Sequence, residues 1–264
     1  MNSVLLKRLR QFSASRHNQR KAPFFVVEGF RCCLEAMTRR PQWLEATILS
    51  DEVADTPNGL AFTDAARTAG VLPEIISATD FAQLAMTEGP QGMLCMMRKP
   101  EATAPTRLDS ICTLILDQVR EPGNVGTILR TAWSIGLSQV WFTEGSADPW
   151  SPKVIRSGMG AQFAINVHFC PDLSVAVQHF RHLGGQRVWC AMMQSPVSLF
   201  SNDFTPSGSA LVLGNEGHGI SRPELGEAVT IPMPGQAESL NVAQAATLLL
   251  YEALRRHLNE GTSL

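Results

Sequence analysis

Three times from residue 112 onward in this 264-residue chain, a short apolar run stops at a stretch crowded with Gly, Pro or Asn. The runs are Cys112–Leu116, Ala210–Leu213 and Ala228–Ile231. The stretches that follow are Glu121-Pro-Gly-Asn-Val-Gly-Thr-Ile-Leu-Arg130, Leu213-Gly-Asn-Glu-Gly-His-Gly-Ile-Ser221 and Ile231-Pro-Met-Pro-Gly-Gln-Ala-Glu-Ser-Leu-Asn241. Apolar runs of four or five residues read as strands buried on both faces, which in turn need covering helices. Two of the stretches open such helices, expected over Val125–Gly136 and Asn241–His257. Loops at the carboxyl ends of buried parallel strands, feeding helix N-termini, are where open α/β sheets gather ligands.

The alternation of elements predicts an α/β protein of two domains. Over residues 1–99 it describes a three-layer αβα module with strands near Phe24–Val27, Trp43–Leu49, Leu72–Ile76 and Gly92–Met97. Residues 100–109, with two prolines and almost no large apolar residue, read as a linker. From residue 110 to 264 a parallel sheet is expected, with further strands at Gln139–Thr143, Phe163–His168 and Arg187–Ala191 and a helix at Leu173–Leu183. Ser13–Ala22 reads as a basic loop.

Net charge is only −2, but it is unevenly spread. Residues 1–40 hold nine Lys or Arg against Glu28 and Glu35, a net of +7, which leaves −9 for the remainder. A basic end on an acidic body points to a polyanion contacted at that end. Arg16, Arg20, Lys21 and Arg31 are the expected contacts. A solvated basic helix is the plainer alternative.

The three C-terminal segments together resemble the SpoU-type RNA 2′-O-ribose methyltransferases of the SPOUT superfamily. Asn124 and Arg130, Gly214 and Glu216, and Ser239, Leu240 and Asn241 carry the resemblance, which runs from about Ser110 onward. Weaker matches at Phe25-Val-Val-Glu-Gly-Phe-Arg31 and Gln91-Gly92 resemble the substrate-binding domain that often precedes it. The resemblance implies a deep trefoil knot formed by the second and third segments, S-adenosylmethionine as methyl donor, RNA as substrate and a homodimer through the catalytic domains. Leu213, Gly214, Ile231, Met233 and Leu240 are the cofactor seat it implies. Its catalytic set is Arg130, Asn124, Glu216, Ser239 and Asn241.

Ribose methylation requires a seated sulfonium donor, a 2′-hydroxyl held in line with the methyl, and help for that hydroxyl in losing its proton. A free guanidinium, with a pKa of about 12 or more, is a poor base. Arg130 is therefore expected to stabilise the developing alkoxide, or to relay a proton once a substrate phosphate has positioned it. Glu216 is expected to pair with or orient Arg130, and Asn124 to stand at a helix N-cap. A full N-terminal module favours ribosomal RNA over transfer RNA as substrate. A non-catalytic assembly factor of this fold is the reading from another class; it would be expected to have lost Arg130, Glu216 or Asn241. A dinucleotide-binding oxidoreductase fails for want of a G-x-G-x-x-G after an early strand.

The six cysteines show no C-x-x-C spacing and the six histidines no convincing cluster, so no metal site is expected. No apolar run is long enough to span a membrane and the N-terminus has no uninterrupted apolar core, so the cytoplasm is the default expectation.

Overall fold

The structure, a computed structural model, describes residues 3–260. It divides into two compact units. The first holds α1 (Ser3–Ser13), α2 (Arg16–Lys21), β1 (Phe24–Glu28), α3 (Phe30–Arg39), β2 (Leu44–Ser50), α4 (Asp51–Ala54), α5 (Pro57–Thr68), β3 (Glu74–Ile76), α6 (Ala78–Leu84) and β4 (Met93–Arg98). The second is built on β5 (Thr113–Leu116), α7 (Pro122–Ser134) and β6 (Gln139–Thr143). Here the chain makes an excursion, since Trp150–Phe163, containing α8 (Pro152–Ser157), belongs to the first unit. It returns with β7 (Asn166–Cys170), α9 (Leu173–His182), β8 (Val188–Ala191), β9 (Ala210–Leu213), β10 (Glu227–Val229) and α10 (Val242–Asn259).

In the first unit the strands lie in the order β1-β4-β2-β3, with β4 antiparallel to both neighbours and β3 parallel to β2. Alternation along the strands splits the core into two faces. Phe24 and Val26 of β1 and Leu94 and Met96 of β4 pack with Leu5, Leu9 and Phe12 of α1 and Phe81 and Leu84 of α6. The intervening Phe25, Val27, Cys95 and Met97 are equally buried, and α3 packs on β1 and β4. This is the expected three-layer arrangement. The two weaker N-terminal motifs meet: Phe30 N–H donates to Gln91 Oε1 at 2.8 Å, at a turn where Gly29 has φ +95°.

The excursion completes the first unit's core. Trp150 lies 5.1 Å from Phe25 and edge-on to Trp43 at 5.5 Å. Phe163 stacks 6.2 Å from Phe25, and Gly160, with φ +80°, packs so closely that a Cβ there would come within 3.2 Å of Glu35 and of Phe163. Two expectations change accordingly. A strand placed at Phe163–His168 begins instead at Asn166, because Ala161–Phe163 forms a 3-10 turn of the excursion. Ser13–Ala22 is not all loop: Ser15 caps α2 by accepting from Asn18 N–H at 3.2 Å.

The second unit has the order β10-β8-β9-β5-β6-β7 with every pairing parallel. Strands β5 and β9 lie centrally and are buried throughout. Their carboxyl ends release the chain at Asp117 and Gly214, and α7 and α10 pack side by side, linked by Thr131–Thr247 and Ser134–Tyr251 hydroxyl contacts at 3.3 Å.

Candidate active site

The segment after β9 is folded on itself by Asn215. Its backbone forms a reciprocal pair with Gly219 (both N–H···O 2.9 Å), and its Oδ1 accepts from the N–H groups of Gly217 at 2.9 Å and His218 at 3.0 Å. Its amide also donates to the Gln118 carbonyl at 2.8 Å, tying this loop to the one after β5. Asp117, fully buried, completes the tie by accepting from Ser221 N–H at 2.6 Å and Thr143 hydroxyl at 2.9 Å. Gly214 has no room for a side chain: a Cβ there would lie 2.4 Å from the Gly219 carbonyl carbon.

One hydrogen-bonded chain joins all three motifs. Asn241 donates to Asn124 Oδ1 at 3.0 Å, and Asn124 donates to Glu216 Oε1 at 2.9 Å. Glu216 also accepts from the N–H groups of Glu121 at 3.2 Å and Arg120 at 3.3 Å. Partial burial pushes its carboxyl pKa up, but the Asn124 amide and these backbone donors outweigh that and hold it below the usual carboxylate range. Asn241 caps α10 by accepting from Ala243 N–H at 2.9 Å.

Two expectations are corrected here. The described hydrogen bonds of Glu216 run to Asn124 and backbone amides, not to Arg130. Asn124 is not an N-cap, because α7 opens at Pro122, whose fixed φ suits the first helical position. That places Asn124 within the first turn, free to bridge the other two motifs. Arg130 lies with Thr127 and Ser134 on the exposed face of α7, while Val125, Ile128, Leu129 and Ala132 are buried.

Beside this chain is a cavity of about 620 Å³, within the range of small-molecule sites. Leu213, Gly214, Ile231, Met233 and Leu240 all line it, as do Glu216, Ser239 and Asn241; Asn124 and Arg130 do not. His218, within the second segment, lines it too; sequence reasoning missed Met192 and Met193, which also line it. The signal for the methionine pair is positional: it follows β8, the neighbour of β9 in the sheet. Flexible thioethers suit an adaptable wall. No described hydrogen bond engages the backbone of Ile231–Leu240, which leaves amide and carbonyl groups available to a ligand. Apolar walls with free backbone groups fit a nucleoside carrying a polar edge and a short charged tail.

The arrangement has known counterparts. The model of the SpoU rRNA Methylase family matches residues 112–251. The chain belongs to that family. Among its relatives, the 23S rRNA guanosine 2′-O-methyltransferase RlmP of Bacillus subtilis is 32% identical over 235 residues, covering 88% of each chain. A TrmH-family protein from Porphyromonas gingivalis has a similar structure (TM-score 0.79, 30% identity, 97% of this chain and 99% of that one). So does an AdoMet-bound rRNA methyltransferase from Sinorhizobium meliloti (TM-score 0.80, 25% identity, 98% and 96%). The chain spans about half the length of the vertebrate mitochondrial rRNA methyltransferases it also matches. All three motifs fall inside the matched residues, and the Asn241–Asn124–Glu216 chain brings them together.

Proposed function

We propose that this protein transfers the methyl group of S-adenosylmethionine to a ribose 2′-hydroxyl of RNA, ribosomal RNA ahead of transfer RNA. The observation that carries this reading is that the second and third SpoU motifs line one cavity, with the first motif tied to its edge by the Asn241–Asn124–Glu216 hydrogen bonds. Bound there, S-adenosylmethionine supplies an electrophilic methyl on a sulfonium. Leu213, Ile231, Met233 and Leu240 provide apolar walls, and the backbone of 231–240 the polar contacts. Asn124, Glu216, Ser239 and Asn241 would orient the ribose 2′-hydroxyl toward that methyl, its proton being released to water. Arg130 faces the solvent side from which RNA arrives and stabilises the oxygen as it gains negative charge. The intact polar chain favours catalysis over a purely structural role in assembly.

Three parts of this reading belong to the protein as a whole. The SpoU domain is knotted by its second and third motifs. The protein is a homodimer through α10, whose exposed residues Gln244, Leu248, Tyr251, Arg255 and Leu258 recur at helical spacing on one face. It acts in the cytoplasm; among the described residues no helix is long and apolar enough to cross a membrane.

Two measurements test the function. Calorimetry with S-adenosylhomocysteine should show one site per chain, weakened at least tenfold in Leu240→Asp, and equal binding by that variant would move the cofactor elsewhere. Mapping of 2′-O-methyl groups in cells with and without the gene should reveal one missing ribosomal position. A missing transfer RNA position would reassign the substrate, and an unchanged map would remove the activity.

A further inference from the structure

The topology separates cations of the first unit that lie together in the sequence. Strand β1 runs antiparallel to β4, with Phe24 opposite Arg98 and Glu28 opposite Leu94, a length of about 14 Å. Arg20 and Lys21 precede β1 at one end, whereas Arg31 follows it at the other, beside the Gly29 turn and Gln91. Arg98 closes β4 at the first end, where its guanidinium donates to the Gln42 carbonyl at 3.2 Å. Arg20, Lys21 and Arg98 are all exposed, and none has a carboxylate partner among the described residues. Their neighbours are committed: Arg8 to Glu45 at 3.6 Å and over the Phe24 ring, Arg10 to Asp80 at 2.8 Å, Arg39 to Glu35 at 2.6 Å.

Helix α2 needs an explanation of its own. Its six residues, Arg16-His-Asn-Gln-Arg-Lys21, include no apolar side chain, and a helix this short does not hold itself in water. Polar clamps hold it instead. Ser15 caps its start, Asn18 donates to the Gln11 carbonyl at 2.7 Å, and Lys99 Nζ donates to the carbonyls of Gln19 and Arg20, both at 3.3 Å. A cation on the last carbonyls both satisfies them and complements the helix dipole. The side chain of Arg16 lies outside those described. A helix that buries so little but is clamped in this way fixes the positions of Arg20 and Lys21 at the end of the sheet where Arg98 closes β4.

We propose that Arg20, Lys21 and Arg98 form a platform for RNA phosphates at this end of the sheet, with Lys99 as its positioning residue and Arg31 outside it. This rests on the reading that the protein acts on RNA. Each phosphate neutralised on a single strand contributes about 0.7 to the slope of log affinity against log salt. The triple variant Arg20→Gln/Lys21→Gln/Arg98→Gln should therefore bind poly(U) and a 23S rRNA transcript with a slope lower by about 2. Arg31→Gln and the surface control Arg67→Gln should leave the slope as it is. Lys99→Met should weaken binding in the parent background and add nothing once Arg20 and Lys21 are already Gln, the coupling expected of a residue acting through α2. Far-UV circular dichroism and thermal unfolding equal to the parent's show that each variant is folded. If the parent binds RNA and the triple variant keeps its slope, or Arg31→Gln lowers it as much, the platform is refuted while the function stands. If the parent binds neither RNA, both fall together.

Discussion

The three glycines of the second motif should respond quite differently to alanine. At Gly214 the added Cβ would lie 2.4 Å from Gly219 C, 2.5 Å from Ile220 N and 2.6 Å from Gly219 O, where ordinary contact begins at 3.4 Å. The obstacle is backbone, so relief requires about 1 Å of main-chain movement. That backbone is pinned by the Asn215–Gly219 pair and by Ser221 N–H on Asp117. Overpacking of this kind costs about 1–3 kcal/mol. If the strain is relieved by displacing the loop that lines the cavity, S-adenosylhomocysteine affinity falls roughly fivefold to a hundredfold. At Gly219 the space is open but φ is +72°, a conformation that costs an alanine about 1–2 kcal/mol. At Gly217 the nearest atom is Asn215 Oδ1 at 3.6 Å and φ is ordinary, so alanine should change stability by less than about 0.5 kcal/mol. Thermal unfolding and calorimetry on the three variants give the test. Gly214→Ala binding within twofold of the parent, or Gly217→Ala proving as damaging as Gly214→Ala, would refute the packing argument.

Arg130→Ala should fold and bind S-adenosylhomocysteine normally yet lose on the order of a hundredfold in single-turnover methylation, with little recovered by Arg130→Lys; a near-normal rate would remove Arg130 from the mechanism. Glu216 has a folded pKa below its ordinary value, so its stabilisation is complete above the usual carboxylate range near about 4.3 and is lost as pH falls through the folded pKa. The difference in melting temperature between parent and Glu216→Gln should accordingly shrink only at the acid end, and a difference that vanished near neutrality would contradict this. Tyr251→Glu, at a position 49% exposed on α10, should convert a sedimenting dimer to monomer without loss of fold, whereas a monomeric parent would end the dimer proposal. All six cysteines are free and buried, and burial pushes Cys32 up to about 11 and Cys112 to about 12. Ellman's reagent should therefore titrate fewer than one thiol in the native protein and six after denaturation.

What could be read from the sequence follows the range of the forces involved. Strands β5, β6 and β9 were legible almost to the residue because burial on both faces leaves unbroken apolar runs. The α10 start was legible through Asn241, whose capping role is local. Helix α2 was hidden because a six-residue polar helix has no apolar period, although Ser15 three residues before Asn18 was a capping signal. The partner of Glu216 was misjudged because it depends on how loops from three strands meet, which no local pattern encodes. The same applies to Met192 and Met193, which reach the cavity through strand order alone.

The excursion of Trp150–Phe163 also sets the order of events during synthesis. The first unit's own strands are complete by Arg98, but Phe25 and Trp43 receive their aromatic partners only when the excursion has emerged. Sixty-two residues separate Glu101 from Phe163, which at ordinary translation rates is a delay of roughly 3–12 s. During that interval an apolar surface waits on the nascent chain while β5, α7 and β6 are being made. Cutting the gene after residue 99 would make that wait permanent, and removing residues 1–99 would leave Trp150, Val154, Ile155 and Phe163 with nothing to cover. Neither half is a clean fragment, so domain dissection by truncation should yield aggregation-prone products where point substitutions do not.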